Sequence, residues 1–246
     1  MRIALLTDIH GNLEALDACL ADARARGAER LVILGDLVGY GADPVAVVGL
    51  VLELMAEGAV VLRGNHDEAA LHGPFGFSGL AARAMLWTME QLDLPSRRFL
   101  AGLPLTHAEE DRLYTHADAS DPGAWHYVTD ARDARVSLAA TPARLTFCGH
   151  THVPALFSQV GLARPRHAIP AADVMQWLAP GQRWLGVIGA VGQPRDGEPA
   201  ACYGLLDTQA AECGWMRVPY DVERAAAKIR AAGLPEALAA RLFEGA

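Results

Sequence analysis

The fold is set by the first buried strand and the polar turn after it, which read RIALLTDIHGN at residues 2–12. The run 2–7 is almost entirely apolar and ends at Asp8, a pattern typical of a strand buried on both faces. Asn12 then fits a helix N-cap, and apolar residues recur at helical spacing until Gly27 ends the stripe. The stretch therefore predicts a strand, a turn and a helix in direct succession.

Further strands and helices alternate through the first hundred residues. Buried strands are predicted at 30–34 and 59–63, and each is followed by a glycine and then by polar residues. Between them, Asp43 as cap and Pro44 in the first turn start a helix that runs to Gly58. This alternation indicates a parallel or mixed sheet with helices on its outside.

Helices and shorter strands are predicted for the rest of the chain. The helical segments are 78–102, 130–140, 222–232 and 235–243, and the strands are 113–115, 145–148, 155–159, 184–188 and 201–206 with a return near Met216. The core candidates in the first of these helices are Leu80, Met85, Leu86, Trp87, Met89 and Leu92. No repeat, linker or low-complexity tract interrupts the sequence, so one domain over residues 1–246 is expected.

Charge and composition limit the classes of function. The net charge is −8 and Lys228 is the only lysine, so no basic stretch is dense enough to follow a long nucleic acid. A small anionic substrate is compatible with this charge, because bound cations reverse the local field. No apolar run approaches the ~20 residues that span a bilayer, and no signal-peptide cleavage site follows the N-terminus. We therefore expect a cytoplasmic protein with no membrane partner.

The cysteines do not form a structural framework. They are scattered and contain no CxxC pair, at Cys19, Cys148, Cys202 and Cys213. Buried free thiols are therefore expected, and neither a disulfide network nor a zinc knot.

Five short polar motifs each follow the end of a predicted strand. They are Asp8-Ile9-His10, Gly35-Asp36, Gly64-Asn65-His66-Asp67, His116 and Gly149-His150-Thr151-His152. Side chains at the carboxyl ends of strands in an open α/β sheet converge on one crevice. The glycines permit tight turns and close approach of the backbone. Taken singly, an aspartate here could be a helix cap and a histidine a core residue, but the set predicts a common site.

The residue types in this set indicate divalent metal ions. A carboxylate can bridge two cations, and imidazoles and an amide oxygen complete the coordination without adding negative charge. Two aspartates, three or four histidines and one asparagine suit Mn, Fe or Zn better than Ca or a thiolate-bound ion. Two such ions about 3.5–4 Å apart can share a water, lower its pKa, and hold phosphoryl oxygens during an in-line displacement.

The order of the motifs resembles the calcineurin-like metallophosphoesterase superfamily, whose pattern is D-x-H, G-D, G-N-H-[DE], H and G-H-x-H. The match covers residues 8–152. Longer stretches, including 8–16, 35–41, 149–154 and 191–197, resemble its bacterial branch of small phosphodiesterase-like proteins. The resemblance implies an α/β fold, a four-layer αββα sandwich of two mixed sheets flanked by helices, with the metals at the strand ends.

The resemblance also implies a role for each motif residue. The ligands of a first metal are Asp8, His10 and His152, the bridging ligand is Asp36, and the ligands of a second metal are Asn65, His116 and His150. His66 is not a ligand in this scheme, and it protonates the leaving oxygen or stabilises the transition state. Arg63 is close enough in sequence to help hold a phosphate, although an exposed arginine at a strand end is the alternative.

Three positions depart from the family pattern. Gly39 stands where serine/threonine protein phosphatases have the second Asp of G-D-x-V-D-R-G, which argues against a protein phosphatase of that type. Asp67 is one candidate for orienting His66, and a structural role for Asp67 is the other. Val187-Ile188-Gly189-Ala190 replaces the usual N-P-G-S, a change expected to alter the cleft wall or substrate preference. Asp118-Ala119 stands where Ser-Pro is usual.

Several residues near the motifs receive no role. The remaining histidines are expected at the surface or in loops, and they are His72, His107, His126 and His167. Of these, His126 has lining of the cleft as a less favoured alternative. Gly39-Tyr40-Gly41 lacks a full glycine-rich signature and is interpreted as a turn, not a phosphate cradle.

The expected activity is that of a divalent-metal-dependent phosphoesterase. A metal-bridged hydroxide would attack phosphorus in line while His66 assists the leaving group, on a small phosphodiester, a nucleotide or an aryl phosphate. One alternative is a phosphomonoesterase or protein phosphatase, and a second is a metal-bound scaffold without turnover. The complete Gly64-Asn65-His66-Asp67 motif favours an enzyme over the scaffold.

Overall fold

The fold was obtained as a computed structural model that describes all residues, 1–246. The strands β1 to β12 span Arg2–Leu6, Arg30–Ile33, Val60–Val61, Thr106–Glu109, Arg112–Thr115, Leu145–Cys148, Ala155–Gln159, Arg166–Ala168, Met175–Trp177, Arg183–Val187, Ala201–Asp207 and Glu212–Val218. The helices α1 to α8 span Leu13–Ala25, Pro44–Ala56, Asn65–His72, Gly79–Gln91, Leu94–Gly102, Ala131–Ala139, Val222–Ala231 and Glu236–Glu244. A single 3-10 turn spans Pro122–Ala124.

The strands form two mixed sheets of six. The first has the order β3-β2-β1-β11-β12-β9, and the second has the order β4-β5-β6-β10-β7-β8. In the first sheet β1, β2 and β3 run parallel, and β11 joins β1 antiparallel. In the second sheet β5, β6 and β10 run parallel, with antiparallel strands on either side. The parallel strands form one side of the first sheet and the centre of the second, and the polar motifs follow their ends.

The location of strand β1 explains why residues 3–6 are all apolar. Ile3 and Leu5 point into an inter-sheet core, where Phe147 and Trp215 are also buried. The alternate residues Ala4 and Leu6 belong to a second core on the other face of the sheet. Side chains alternate between the faces of a strand, so a strand between two cores needs apolar residues throughout.

Helices close both outer faces of the paired sheets. Helices α1 and α2 cover the first sheet through apolar residues such as Leu16 and Val51. Helix α6 covers the second sheet, where Leu138 packs in a cluster with Phe157 and Leu185. The layers are therefore helix, sheet, sheet and helix, which confirms the four-layer αββα sandwich.

The segment 78–102, predicted as one helix, forms two helices. Helix α4 ends at Gln91, and α5 starts at Leu94 because the Asp93 side chain accepts a hydrogen bond from Ser96 N. Two of its core candidates are also wrong, since Leu80 and Leu86 are exposed. Met85 and Leu92 are buried as predicted, and Trp87 and Met89 are half-buried.

Both predicted N-cap residues, Asn12 and Asp43, precede a helix, but only one of them makes a capping hydrogen bond. Asn12 accepts a hydrogen bond from Ala15 N, as an N-cap should. Asp43 precedes Pro44 at the start of α2, but its side chain makes no cap hydrogen bond. It lies instead 2.7 Å from Lys228 Nζ, because α7 brings that ammonium beside it.

The cysteine prediction is confirmed, since all four side chains are buried and free. No helix in the fold is both long enough and apolar enough to cross a bilayer.

Candidate metal centre

The ends of the central strands bring all seven predicted ligands together. The strands that deliver them are β1 for Asp8 and His10, β2 for Asp36, β5 for His116, and β6 for His150 and His152. Asn65 arrives as the first residue of α3, directly after β3. Six of these side chains are buried, and Asn65 is half-buried. The convergence of strand ends at one crevice is therefore the observed arrangement.

One group of donors consists of Asp8, His10, Asp36 and His152, whose candidate ligand atoms lie within 4.8 Å of one another. His152 Nε2 is 3.2 Å from Asp8 Oδ1 and 3.1 Å from His10 Nε2. His10 Nε2 is 3.6 Å from Asp36 Oδ2. Donors that share a cation through bonds of 2.0–2.2 Å stand about 3–3.5 Å apart, so this spacing suits a common ion.

A second group consists of Asp36, His116 and His150, with Asn65 beside them. His116 Nε2 lies 3.5 Å from Asp36 Oδ2 and 3.2 Å from both His150 Nδ1 and Asn65 Oδ1. The oxygen Asp36 Oδ2 therefore faces His10 of the first group and His116 of the second. A carboxylate in that position is placed to bridge two cations.

Backbone carbonyls fix the orientation of the four imidazoles. The Nδ1 atoms of His10, His116 and His152 donate to the carbonyls of Val38, Leu34 and Gln193, at 3.1, 3.0 and 2.6 Å. His150 uses its Nε2 to donate to Trp125 O at 2.9 Å. A carbonyl only accepts, so each ring turns its other nitrogen toward the cluster. Such carbonyl partners are typical of metal-ligating histidines, because they set the tautomer and raise ligand basicity.

Several donor atoms of the first group face one another without a hydrogen between them, as expected around a metal ion. His10 Nε2 and His152 Nε2 face each other at 3.1 Å although both rings already donate from Nδ1. Asp8 Oδ1 is buried beside them without a hydrogen-bond partner. Converging lone pairs of this kind are costly unless a cation lies among them. The residues present therefore suit a divalent metal with nitrogen and oxygen ligands.

Electrostatics within the cluster also favour positive charge. Although burial opposes ionisation, neighbouring histidines hold the pKa of Asp8 and of Asp36 below the usual range. Burial acts to lower the pKa of His116, but the Asp36 carboxylate outweighs it and raises that pKa to about 9. Without a cation, a proton on His116 therefore supplies part of the compensating charge. Burial, assisted by His116, lowers the pKa of His150 to about 4, so His150 is neutral.

His66 lies beside the donor groups and is not part of either. Its ring centroid is 4.6 Å from that of His10, and its backbone N donates to Asp36 Oδ1 at 2.8 Å. The ring is buried, and its Nδ1 has no hydrogen-bond partner. Burial lowers the pKa of His66 to about 4. The imidazole is thus neutral and free to act toward the cleft that it borders.

The two positions expected to matter for orienting His66 are resolved by geometry. Asp67 accepts from Leu37 N at 2.9 Å and Gly64 N at 2.9 Å, so its carboxylate holds two loops together and does not contact the His66 ring. Burial, then the charge of Asp36, raises the pKa of Asp67 to about 7. Gly39 lies against His66, and a Cβ at Gly39 would collide with His66 Nδ1. The partner carboxylate of the protein phosphatases has no counterpart here.

The ligand loops use backbone conformations that side chains rarely adopt. Seven of the ten non-glycine residues with positive φ lie at the site, namely Asp8, His10, Asp36, Tyr40, Trp125, His150 and His152. An L-residue in this region costs about 1–2 kcal/mol relative to the right-handed conformation. The glycines contribute close approach, since a Cβ at Gly149 would lie 2.5 Å from Asp8 Oδ2. Strain is therefore concentrated where the ligands are.

Residues 191–193 hold the first ligand loop from the far end of the sequence. Val191 N and Gly192 N donate to Thr7 O and Asp8 O, both at 2.9 Å. Asn12 Nδ2 donates to Gly192 O at 2.9 Å, and Gln193 O accepts from His152. Residues 191–193 of this sequence motif thus support Asp8 and His152, two of the predicted ligands, through their backbone.

A cleft of about 580 Å³ opens over Asn65, His66 and His150. Its walls are rich in aromatic side chains, which are Tyr40, Phe75, Phe77, Trp125 and Tyr127. Tyr127 stacks on the His150 ring at 4.1 Å between centroids. Sequence reasoning gave no role to these rings, and the only signal was their proximity to motif residues. His126 is exposed and does not line this cleft, whereas the exposed His72 forms part of its rim.

The remaining departures and candidates lie away from the donor atoms. Arg63 is half-buried and does not line the cleft, and its Nε lies 3.2 Å from Glu68 Oε2. Ile188 and Ala190 are fully buried and residues 187–190 do not line the cleft, which contradicts their expected effect on its wall. Their effect on substrate preference stays a prediction. Asp118 is buried and accepts from Ser120 N and Oγ, which closes a local turn after His116.

The sequence matches one family along most of its length. The description of that family is the calcineurin-like phosphoesterase superfamily domain, and the match spans residues 1–211. The chain is also 35% identical to the uncharacterized protein MJ0912 of Methanocaldococcus jannaschii over 254 residues. That alignment covers 99% of this chain and 98% of the relative.

Solved structures share the architecture over the full chain. A metallophosphoesterase from Sphaerobacter thermophilus superposes with a TM-score of 0.87 at 36% identity, covering 100% of this chain and 99% of the other. The hypothetical protein PH1004 from Pyrococcus horikoshii OT3 has a TM-score of 0.79 at 19% identity, covering 100% and 98%, and shows the shared fold. With its two donor groups at the strand ends, the chain belongs to the calcineurin-like phosphoesterase superfamily.

Proposed function

We propose that this protein is a divalent-metal-dependent phosphoesterase that hydrolyses a phosphodiester bond in a small phosphorylated substrate. In this proposal residues 1–246 act as a single domain around one dinuclear centre. The observation that carries it is Asp36 Oδ2, which lies 3.6 Å from His10 Nε2 and 3.5 Å from His116 Nε2. One carboxylate oxygen between two donor groups supports two cations with a shared ligand.

The seven ligand residues divide into two sets that share Asp36. We assign a first cation to Asp8, His10, Asp36 and His152, and a second to Asp36, Asn65, His116 and His150. Mn, Fe or Zn suits this mixture of imidazole and oxygen donors. When bound, two such ions lower the pKa of a water between them and neutralise the charge that develops on phosphoryl oxygens.

His66 is the proposed catalytic residue for the leaving group. Its imidazole is neutral because burial lowers its pKa to about 4, and it borders the cleft beside His150. A neutral imidazole carries one N–H, which can donate a hydrogen bond to the departing oxygen. To transfer a proton, the ring must first take one up, which the negative charge of a bound phosphate beside it favours. Gly39 leaves Nδ1 without a carboxylate partner, so packing against His10, Tyr40 and Phe77 sets the ring orientation.

The cleft also bears on the class of substrate. Five aromatic rings and a volume of about 580 Å³ suit a small molecule with an apolar or aromatic group beside its phosphate. The net charge of −8 and the absence of a dense basic stretch disfavour extended nucleic acid as partner. Arg63 is retained as a weak contributor to phosphate binding, since Glu68 already offsets its charge.

The decisive experiment is hydrolysis of bis-p-nitrophenyl phosphate beside p-nitrophenyl phosphate, on chelated protein that is re-supplied with Mn²⁺. Metal-restored turnover that favours the diester is the expected result. Turnover of the monoester alone would replace the proposal with a phosphomonoesterase. A protein that binds two metals and turns over neither compound, across a panel of nucleotide diesters, would be a scaffold and not an enzyme.

A further inference from the structure

A second cavity of about 490 Å³ adjoins the cleft over the metal centre. The two share Tyr40, Ser78, Ala81 and Tyr127 as lining residues. The second cavity differs in its charge, because Arg195 and Arg241 line it and no carboxylate side chain does. It is a basic recess in a chain whose net charge is −8.

The two guanidinium groups lie against the same aromatic ring. Their Cζ atoms are 5.7 Å and 5.4 Å from the Tyr40 centroid, for Arg195 and Arg241 respectively. Cation–π contacts of this kind orient a guanidinium without neutralising it. Burial, and next the positive charge of Arg195, lower the pKa of Arg241, which indicates that the like charges are close.

Neither arginine is paired with an aspartate or glutamate side chain. Many other arginines of this protein form salt bridges with aspartate or glutamate. No aspartate or glutamate carboxylate lies within 4.0 Å of the Arg195 or Arg241 guanidinium. Arg195 Nη2 donates to Gln193 Oε1 at 3.1 Å, and its Nε is buried without a partner. Arg241 Nε donates to Ala246 O at 2.8 Å. Most of the N–H donors on both groups are therefore available to a ligand.

The recess is tied to the metal centre through Tyr40. The Tyr40 ring centroid is 4.6 Å from that of His66 and 4.8 Å from that of His10. The Tyr40 ring thus contacts both guanidinium groups on one side and the His66 ring on another. Arg195 N also donates to the carbonyl of His152, a proposed ligand. A molecule whose scissile phosphate sits over His66 can extend into this recess.

We propose that Arg195 and Arg241 form an anion-binding subsite that holds a second phosphate group of the substrate. The proposal rests on the proposed function and narrows its substrate to compounds with two separate phosphates. Paired guanidinium groups match phosphate oxygens because their N–H donors lie in a plane and can bind two oxygens at once. Tyr40 keeps both side chains in place before the ligand arrives, which reduces the entropy lost on binding.

The test uses two ligands that differ by one phosphate, adenosine 5′-monophosphate and adenosine 3′,5′-bisphosphate. Binding to the metal-loaded full chain is measured by titration calorimetry, over a time in which no phosphate is released. The second phosphate is expected to tighten binding by about ten- to one hundredfold, the range for a hydrogen bond to a charged group. Arg195→Gln and Arg241→Gln should each remove most of that advantage.

Arg230→Gln is the matched control. It removes the same charge from the neighbouring helix α7, where Arg230 is exposed and paired with Glu236. The bisphosphate advantage should persist in this variant. Arg195 and Arg241 lie in different parts of the chain, so a folding defect in one variant leaves the other as a test. Far-UV circular dichroism identifies such a defect.

The outcomes separate the subsite from the activity. Equal binding of the two ligands by the wild type would overturn the subsite, and so would an advantage that survives in both arginine variants. If the protein hydrolyses bis-p-nitrophenyl phosphate but binds the monophosphate and the bisphosphate equally, only the subsite proposal is overturned. A retained bisphosphate advantage without hydrolysis removes the proposed catalysis, while the arginine pair remains an anion site.

Discussion

Strand β1 contributes to two regions of opposite character. Leu5 is fully buried in the inter-sheet core among apolar side chains, within a regular hydrogen-bonded ladder. Three residues later Asp8 is equally buried, but its φ is 53° and its Oδ1 has no hydrogen-bond partner. The first region stabilises the fold through burial of apolar surface, and the second stores strain and unpaired charge.

The contrast shows that the strand interiors stabilise the sandwich while the strand ends form the candidate site. Apolar strand interiors hold the two sheets at a fixed separation, so the strand ends can carry conformations that no isolated loop would keep. Changes in the core should therefore alter the free energy of unfolding and leave metal content intact. Changes at the strand ends should alter metal content or turnover and leave the core intact. The following predictions, from the largest effect to the smallest, are ways to test that separation.

Asp36→Asn should have the largest effect. Loss of the shared carboxylate removes a ligand from both groups, so bound metal should fall to less than one ion per chain. Turnover should fall by more than about 10³-fold, the scale of losing a main electrostatic stabiliser. Metal analysis after gel filtration measures the first effect. Asp118→Asn, a buried aspartate that contacts Ser120, is the control, and two ions retained by Asp36→Asn would contradict the bridge.

His66→Ala should separate catalysis from metal binding. The ring lies outside both donor groups, so metal content should be unchanged while turnover falls by roughly 10²–10⁴-fold, the usual share of general acid catalysis. Steady-state kinetics on the Mn²⁺-loaded protein measure this. His72→Ala at the cleft rim should have little effect on turnover. An unchanged rate in His66→Ala would show that the histidine has no part in the reaction.

Phe147→Ala should lower the stability of the fold and leave the metal content unchanged. The ring is almost fully buried in the inter-sheet core, and its removal leaves a cavity that costs about 3–5 kcal/mol of unfolding free energy. Denaturant unfolding at a fixed metal concentration measures the loss. Leu162→Ala, at an exposed position, should change stability by less than about 0.5 kcal/mol. Loss of metal from folded Phe147→Ala protein would break the separation of the two regions.

Metal affinity should depend on pH through His116. Without metal its pKa is about 9, whereas that of His150 is about 4, so between these values one bound proton must leave when a cation enters. The apparent Kd of the second metal should therefore fall about tenfold for each pH unit from about 6 to 9. Competition with a chromogenic chelator at several pH values measures this slope, and a flat profile would contradict it.

Arg63→Gln should have the smallest effect. Its guanidinium is paired with Glu68 and stays outside the cleft, so KM should rise by less than about fivefold and stability should change by less than about 1 kcal/mol. Kinetics on bis-p-nitrophenyl phosphate are the measurement. A large rise in KM, absent in Glu68→Gln, would instead give Arg63 a direct hold on phosphate.

Local sequence patterns predicted the succession of strands and helices in the first half, because the strand segments are short apolar runs. The runs 2–7 and 30–34 are mostly apolar, and their short length with polar or glycine residues after them favours strands over buried helix segments. The helix break at Asp93 was missed although Asp93 and Pro95 formed a recognisable cap signal. Leu80 and Leu86 were misplaced because apolar character alone does not identify the buried face of a helix.

The convergence of the motif residues was predictable from their positions after strand ends, while their surroundings were not. The left-handed backbone of His10 and His150 is held by hydrogen bonds to distant segments, which no local pattern encodes. His10 N donates to Asp36 O, and His150 N donates to Asp8 Oδ2. The same holds for the stacking of Tyr127 on His150 and for the two arginines on Tyr40. These contacts come from loops that the sandwich brings together only after both sheets have formed.

The hydrogen bonds of residues 191–193 to the first ligand loop have a consequence for the order of folding. Asn12 and Gly192 are 180 residues apart, so the loop at Asp8 leaves the ribosome long before its partners exist. Contacts of such long range form slowly, because a large part of the chain must be closed into a loop first. We therefore expect the first donor group to reach its final arrangement late, after residue 193 has been synthesised and the two sheets have docked.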